Sequence, residues 1–97
     1  MPARLALLTY AYVDDMATKR EPHRDGHLAL ISQFADEGRL FMAGATGDPP
    51  RGGSLVFADE AAAEDFFAND PYATAGLITA HSIVPYTVVS SAAVDVG

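Results

Sequence analysis

The pattern of hydrophobic and polar positions predicts four strands. Residues 4–12, RLALLTYAY, form a run that is too short and too aromatic to favour a helix. Both the odd and the even positions of this run are mainly apolar, which predicts a strand buried on both faces. Pro85 lies within the last apolar run and favours an edge strand or a strand end there, because proline cannot donate a ladder hydrogen bond. The remaining strands are predicted at residues 39–45, 54–58 and 77–89.

Two segments have the spacing of amphipathic helices. The first starts near Pro22, whose missing N–H costs nothing in a first turn, and ends near Glu37 before Gly38, the expected left-handed stop. The second follows Asp59, a favourable N-cap, and ends near Asn69. The predicted inward positions are Leu28, Ile31, Phe34 and Ala35 in the first helix and Ala63, Phe66 and Phe67 in the second.

The resulting order, β-α-β-β-α-β, predicts an α+β domain of the ferredoxin-like type, with a four-stranded antiparallel sheet and both helices on one face. Residues 13–19 and 46–53 are predicted connections within a single domain, 1–97, whose core spans about 4–87 and whose residues 90–97 form a tail. Two helices cover only one face of such a sheet. The second, apolar face is therefore predicted to be covered by another copy of the chain, which gives a homodimer closed sheet against sheet.

The composition is typical of a soluble globular protein. Hydrophobic residues make up 49% of the 97, and no apolar run reaches the ~18 residues that a membrane span needs. The chain has a net charge of −7 and no cysteine. Its six basic residues all lie in the first 51 positions, and they form no basic patch interleaved with aromatics. We therefore expect no nucleic-acid partner, no membrane partner, no thiolate metal site and, without a recognisable targeting segment, a cytoplasmic location.

His27 and Asp70 are the strongest candidates for chemistry. His27 lies one turn into the first predicted helix, with Arg24 three residues before it on the same stripe. Asp70 lies at the end of the second helix, and the two helices of this fold run roughly antiparallel on one face of the sheet. A carboxylate that accepts the ring N–H of a histidine fixes its tautomer, so the sequence predicts a pair competent in general acid–base chemistry. Arg24 is the candidate cation for an anionic ligand.

Each candidate also has an ordinary structural interpretation. Asp70 is equally suited to be a plain helix-end turn residue, and Tyr72 to pack against that helix end. His23 and His27 have the i, i+4 spacing that can hold zinc on a helix. The chain has no HExxH motif and no evident third ligand nearby, so no metal and no other cofactor is predicted.

Four parts of the chain resemble the YCII-related (YciI-like) domain family. They are RxxHL at 24–28, GRL followed by AG at 38–44, GSxVF at 53–57, and DPYxxAGL at 70–77 closing on PY at 85–86. The resemblance covers about residues 4–87 and implies a ferredoxin-like fold that dimerises into an α/β barrel. It also implies a conserved His–Asp pair in a small pocket, which maps onto His27 and Asp70.

The resemblance adds candidate substrate-binding residues. Arg24 and Ser54 match motif positions that tend to line the pocket, and Tyr72 follows the aspartate of the DPY motif. His81 departs from the family, which commonly has a small apolar residue there. On the alternation of its strand it points the same way as Ile83, so we expect it to face the barrel or the pocket.

The residues and the resemblance together predict a cofactor-independent enzyme that acts on a small cyclic or aromatic molecule. Proton transfer, as in isomerisation or elimination, is the expected reaction, with His27 as general base or acid, Asp70 orienting it and Arg24 holding a substrate anion. The resemblance supports this expectation, because a few members of the family act on small aromatic compounds. The alternative is a non-catalytic module that binds a metabolite in the pocket or serves as a dimerising partner.

Overall fold

The computed structural model describes residues 3–92 as four strands and four helices, in the predicted order with two short helices added. The elements are β1 (Ala3–Tyr12), α1 (Met16–Lys19), α2 (Glu21–Asp36), β2 (Leu40–Thr46), β3 (Gly52–Phe57), α3 (Glu60–Asn69), α4 (Pro71–Thr74) and β4 (Ile78–Val88). Most of the predicted tail, residues 93–97, lies outside the described residues.

The strands form one antiparallel sheet in the order β2-β3-β1-β4. β1 lies at its centre, where Leu8 pairs with Leu55 of β3 and with Ile83 of β4. β4 is an edge strand and so accommodates Pro85, as the sequence predicts. The α+β fold of the ferredoxin-like type is therefore confirmed.

The core lies between one face of the sheet and the two long helices. Phe66 of α3 lies at its centre, with ring-centroid distances of 5.3 Å to Phe34 of α2 and 5.2 Å to Phe57 of β3. Ala6 and Leu8 of β1 are fully buried beneath these rings. Burial of each large apolar side chain contributes about 1.5–3 kcal/mol, so this cluster fixes both helices on the sheet.

Both predicted helix signals at the ends of the long helices are confirmed. Gly38 has φ 73°, in the left-handed region that favours glycine, and it follows the end of α2. Asp59 caps α3, since its side-chain oxygen accepts a hydrogen bond of 2.8 Å from the backbone N–H of Ala62.

Two connections contain more regular structure than the sequence predicts. Residues 13–19 include α1 because Met16 is buried there, 1% exposed, in a cluster with Tyr72 and Leu77. The predicted loop 46–53 is shorter than expected because Gly52 already pairs with the neighbouring strands and begins β3.

The second face of the sheet is partly exposed in the single chain. On this face Met42, Val84 and Tyr86 are 50%, 43% and 42% exposed. Leu7 of β1 lies on the same face between β3 and β4, and it is half-buried. The prediction that β1 is buried on both faces is therefore wrong for the single chain, because none of the helices in residues 3–92 covers this side. The sheet-to-sheet homodimer stays a prediction. Among residues 3–92, no helix is both long and apolar enough to cross a membrane.

Candidate active site

His27 and Asp70 meet in the interior of the protein. His27 Nδ1 lies 2.8 Å from Asp70 Oδ1, and the two residues are only 7% and 0% exposed. His27 lies one turn and a half into α2, and Asp70 joins α3 to α4. The juxtaposition predicted from the order of elements is thus present in the structure.

The backbone on each side of the pair allows this close approach. Gly26 precedes His27, and a Cβ atom there would lie 3.2 Å from Pro71 Cγ. Pro71 in turn occupies the first position of α4, where its fixed φ and missing N–H suit a helix start. The absence of a side chain at Gly26 therefore lets α2 and α4 pack closely beside the pair.

Asp70 has two structural roles at once. It ends α3 and caps α4, where its Oδ1 accepts a hydrogen bond of 3.0 Å from the backbone N–H of Tyr72. The same oxygen faces His27 Nδ1. A turn needs only something small and polar, but this turn needs a carboxylate that serves a helix and a histidine together. The plain helix-stop interpretation of Asp70 is therefore incomplete.

Tyr10 supplies the third hydrogen bond to this carboxylate. Tyr10 lies on β1, inside the sheet, and its hydroxyl donates a hydrogen bond of 2.9 Å to Asp70 Oδ2. Burial, followed by the charge of Asp70, raises the pKa of Tyr10 well above its ordinary value, so the hydroxyl remains a donor. Tyr10 was not predicted as a site residue, although a tyrosine on the buried side of a central strand needs a partner for its hydroxyl.

These contacts define the tautomer and the plane of the His27 ring. Because Asp70 accepts the hydrogen bond, the Nδ1 atom carries the proton and Nε2 is left for a ligand. The Tyr72 ring stacks on the imidazole at 3.8 Å with an interplanar angle of 8°, and Phe66 meets it edge-on at 6.1 Å. The imidazole is therefore held in position before any ligand binds.

His27 borders a cavity of about 220 Å³ between α2 and the sheet. This is below the roughly 300–1,000 Å³ of pockets that take drug-sized ligands, so the ligand must be small. Along α2 the wall changes from basic, at Arg24, to apolar, at Leu28 and Ile31. Leu28 was predicted to point inward but is 43% exposed, because it borders this pocket instead of the core.

Tyr12, at the end of β1, also lines the pocket and was not predicted. A Cβ atom on Gly53 would lie 2.8 Å from the Tyr12 hydroxyl, so this glycine makes room for the ring. Burial raises the pKa of Tyr12 to about 12, although the charges of Arg20 and Arg24 act in the opposite direction. The phenol therefore remains protonated at neutral pH and can donate a hydrogen bond to a ligand.

Arg24 and Tyr72 lie where the sequence places them. Both line the pocket beside His27, while Asp70 lies directly behind the imidazole. The Tyr72 side chain is 2% exposed, and its ring both packs the helix end and stacks on His27. The packing role and the pocket role, set against each other in the sequence analysis, are compatible.

Ser54 and His81 are not brought to this pocket. Ser54 lies on the second face of the sheet, paired with Thr9, because its neighbour Leu55 takes the pocket-facing position. His81 faces the helix layer at the outer edge strand, where it is exposed and stacks on Phe67 at 3.7 Å. Within residues 3–92, no group of three or more His, Cys, Asp or Glu side chains is arranged to hold a metal ion.

A family model decides the classification of the chain. The model of the YCII-related domain matches residues 3–87. The chain belongs to the YCII-related domain family. This agrees with the resemblance carried by the RxxHL and DPYxxAGL segments, and no curated protein matches the sequence significantly.

Solved structures share the fold of this YCII-related domain. One is the 5-chloro-2-hydroxyhydroquinone dehydrochlorinase TftG from Burkholderia phenoliruptrix, in complex with 2,5-dihydroxybenzoquinone, with a TM-score of 0.70 and 22% identity over 84% of this chain and 92% of that chain. Another is a putative antibiotic biosynthesis monooxygenase from Nitrosomonas europaea, with a TM-score of 0.60 and 17% identity over 92% and 93% of the two chains. At these identities the likeness shows the fold alone.

Proposed function

We propose that this YCII-related domain is a cofactor-independent enzyme that transfers a proton on a small cyclic or aromatic substrate, by isomerisation or elimination. The observation that carries the proposal is the buried 2.8 Å contact between His27 and Asp70 at the wall of a 220 Å³ cavity. A histidine with one nitrogen held by a carboxylate and the other left for a ligand has the arrangement of a general base. The substrate named for the dehydrochlorinase of similar fold, a chlorinated hydroxyhydroquinone, supports the choice of a ring compound.

The proposed chemistry begins with His27 Nε2, which removes a proton from a C–H or O–H group of the substrate. In an elimination, the released electron pair expels a leaving group. In an isomerisation, it forms an enolate, which takes a proton from His27 at another carbon. Asp70 stabilises the imidazolium that forms in either case, and Arg24 holds an anionic oxygen of the substrate. Tyr10 positions Asp70 without touching the substrate.

The test follows both deuterium uptake from the solvent and loss of the substrate, because reprotonation of an enolate in D₂O introduces deuterium, whereas an elimination consumes the substrate. A panel of enolisable cyclic ketones, hydroxyquinones and chlorinated hydroxyhydroquinones is incubated with the protein in D₂O and followed by proton NMR. We expect the wild type to accelerate deuterium incorporation or loss of the substrate. His27→Gln should slow this by about 10²–10⁴-fold, the usual contribution of a general base, and Asp70→Asn should also slow it.

His23→Gln is the matched control, since His23 lies one turn before His27 on α2 but does not line the pocket. It should leave the rate unchanged. Circular dichroism checks that each variant is folded. If ring compounds bind to the wild type but show neither exchange nor loss, the enzymatic proposal is wrong, and the pocket belongs to a ligand-binding module.

A further inference from the structure

Two arginines lie at one end of the pocket, and neither has a carboxylate partner among residues 3–92. Arg20 and Arg24 both line the cavity. In the part of the chain that the structure describes, the ion pairs are those of His27 with Asp70 and of Arg39 with two surface acids. A guanidinium is charged at any relevant pH. Two such charges that face one small space repel each other and attract an anion.

Polar atoms at the same end of the pocket have unused hydrogen-bonding capacity. Arg20 Nε and the Tyr72 hydroxyl are buried, and neither has a hydrogen-bond partner among residues 3–92. Tyr72 as a whole is 2% exposed. Burial raises the pKa of the Tyr72 hydroxyl, and the charge of nearby Arg24 has a smaller effect in the opposite direction. Arg24 and this hydroxyl nevertheless do not form a hydrogen bond of standard geometry. A buried donor without an acceptor is unfavourable, and an oxygen of a ligand would relieve it.

We propose that Arg20, Arg24 and the Tyr72 hydroxyl form a subsite for a planar anionic group with two oxygens. The group is a carboxylate or a deprotonated enol conjugated to a carbonyl, which likewise shares one negative charge between two oxygens in a plane. This rests on the proposed function, because it names the class of substrate for the same pocket. The planar fork of a guanidinium binds two such oxygens side by side, which a lysine could not do.

The rest of the pocket indicates what the anionic group is attached to. Leu28 and Ile31 of α2 face Ala43, Ala45 and Leu55 of the sheet across the cavity, and all five are apolar. The volume of 220 Å³ corresponds to roughly seven water molecules at about 30 Å³ each, which suits a single ring with one substituent. The ligand is therefore a ring-sized acid.

The position of the subsite also fits the chemistry at His27. Residues three apart on a helix have Cβ atoms about 5–6 Å apart, so an anion at Arg24 lies within one turn of the imidazole. An atom of the same small ring is then within reach of Nε2. Arg20 and Tyr72 would act on the binding and the orientation of the substrate.

The test measures binding without any reaction. Benzoate and benzamide have the same ring and nearly the same shape, but only benzoate is charged. Each is titrated into the wild type, Arg20→Gln and Arg24→Gln, and followed by ¹H–¹⁵N NMR, including the Nε–H signals of arginine. Arg51→Gln is the matched control, because Arg51 is exposed in the loop between β2 and β3 and does not line this cavity.

We expect the wild type to bind benzoate more tightly than benzamide. Each pocket variant should weaken benzoate binding by about tenfold or more, the usual effect of losing a charged hydrogen bond, while benzamide binding changes little. Arg51→Gln should change neither. Equal affinity for benzoate and benzamide, unchanged benzoate binding in Arg20→Gln, tighter binding of phenyl phosphate than of benzoate, or no binding of benzoate at millimolar concentration would each overturn the subsite.

His27→Gln separates this proposal from the enzymatic one. It retains Arg20, Arg24 and the Tyr72 hydroxyl, so it should keep the preference for benzoate over benzamide, whatever its affinity for the ring itself. If benzoate binding depends on Arg20 but no ring compound exchanges a proton, the subsite is correct and the catalytic role of His27 is wrong. If exchange depends on His27 while Arg20→Gln leaves the binding of benzoate unchanged, the reverse holds.

Discussion

Gly26 and Pro71 are in close contact where α2 meets α4, one residue before His27 and one residue after Asp70. A Cβ atom on Gly26 would lie only 3.2 Å from Pro71 Cγ. Glycine inside a helix is unfavourable by roughly 0.5–1 kcal/mol relative to alanine. Gly26 therefore lowers the stability of α2 slightly but allows α2 and α4 to pack closely. The separation of the two helices is thus set directly beside the His27–Asp70 pair.

Gly26→Val should disturb the pair while leaving the fold intact. The branched side chain meets the Pro71 ring and moves α2 away from α4, which lengthens the contact between His27 Nδ1 and Asp70 Oδ1. A misplacement of about 1 Å costs on the order of 10²-fold in rate at a catalytic centre. Ala29→Val is the control, since Ala29 is exposed on the same helix. The ¹⁵N-coupled signal of the imidazole N–H, protected in the wild type, should be lost in Gly26→Val and remain in Ala29→Val.

Tyr10→Phe should destabilise the protein more than its single missing atom suggests. The hydroxyl donates to a fully buried carboxylate, and hydrogen bonds to charged groups contribute about 1.5–3 kcal/mol. We expect the free energy of unfolding in urea to fall by about that amount. Tyr86→Phe, at a position that is 42% exposed, should change it by less than about 0.5 kcal/mol. An equal effect of the two substitutions would show that the Tyr10 hydroxyl bond contributes no net stability.

Two substitutions of Asp70 should distinguish the stability contributed by its helix cap from the stability contributed by its charge. Asp70→Ala removes the acceptor for Tyr10, His27 and the Tyr72 N–H together, and breaking a buried pair of this kind costs about 3–5 kcal/mol. Asp70→Asn keeps one oxygen for the cap and nearly the same volume, so its loss of stability should be smaller. Thermal unfolding of the two variants measures the difference. The same melting temperature for both would show that the cap makes no contribution.

The stability of the protein should fall in strongly alkaline solution. Burial raises the pKa of Tyr12 in the folded state to about 12, above its ordinary value of 10.0. A raised pKa means that the folded state holds its proton more tightly, so the associated stability is complete below pH 10 and is lost as the pH rises from 10 towards 12. Urea unfolding at a series of alkaline pH values should show this decline. The decline should be shallower in Tyr12→Phe, although Tyr10 and Tyr72 contribute in the same direction.

The elements and the pair were predictable because their signals are local. Gly38 and Asp59 define helix ends through their own backbone and side-chain chemistry, and the order of elements then brings Asp70 towards His27. Once the family resemblance is added, both residues of the pair follow from motifs of three to five positions. This explains why the fold and the central pair agree between the sequence and the structure.

Arg24 was predicted as the cation of the pocket, but Arg20, the second arginine at its basic end, was not predictable in the same way. Arg20 lies between α1 and α2, in a stretch without periodicity, and the burial of its Nε atom depends on tertiary packing around Met16 and Tyr72. Ser54 was predicted to line the pocket but does not, because the motif does not show which face of the strand it occupies. Because side chains alternate along a strand, a shift of one residue decides whether Ser54 or Leu55 faces the pocket, and the motif alone does not fix that register.

The pairing of β1 with β4 has a consequence for folding during synthesis on the ribosome. β1 leaves the exit tunnel before its partner β4, residues Ile78–Val88, has been made. At about 5–20 residues per second, one edge of β1 therefore waits for seconds without its hydrogen-bonding partner. We expect the nascent chain to need protection of this apolar strand, and we expect the sheet to close only after β4 has left the exit tunnel.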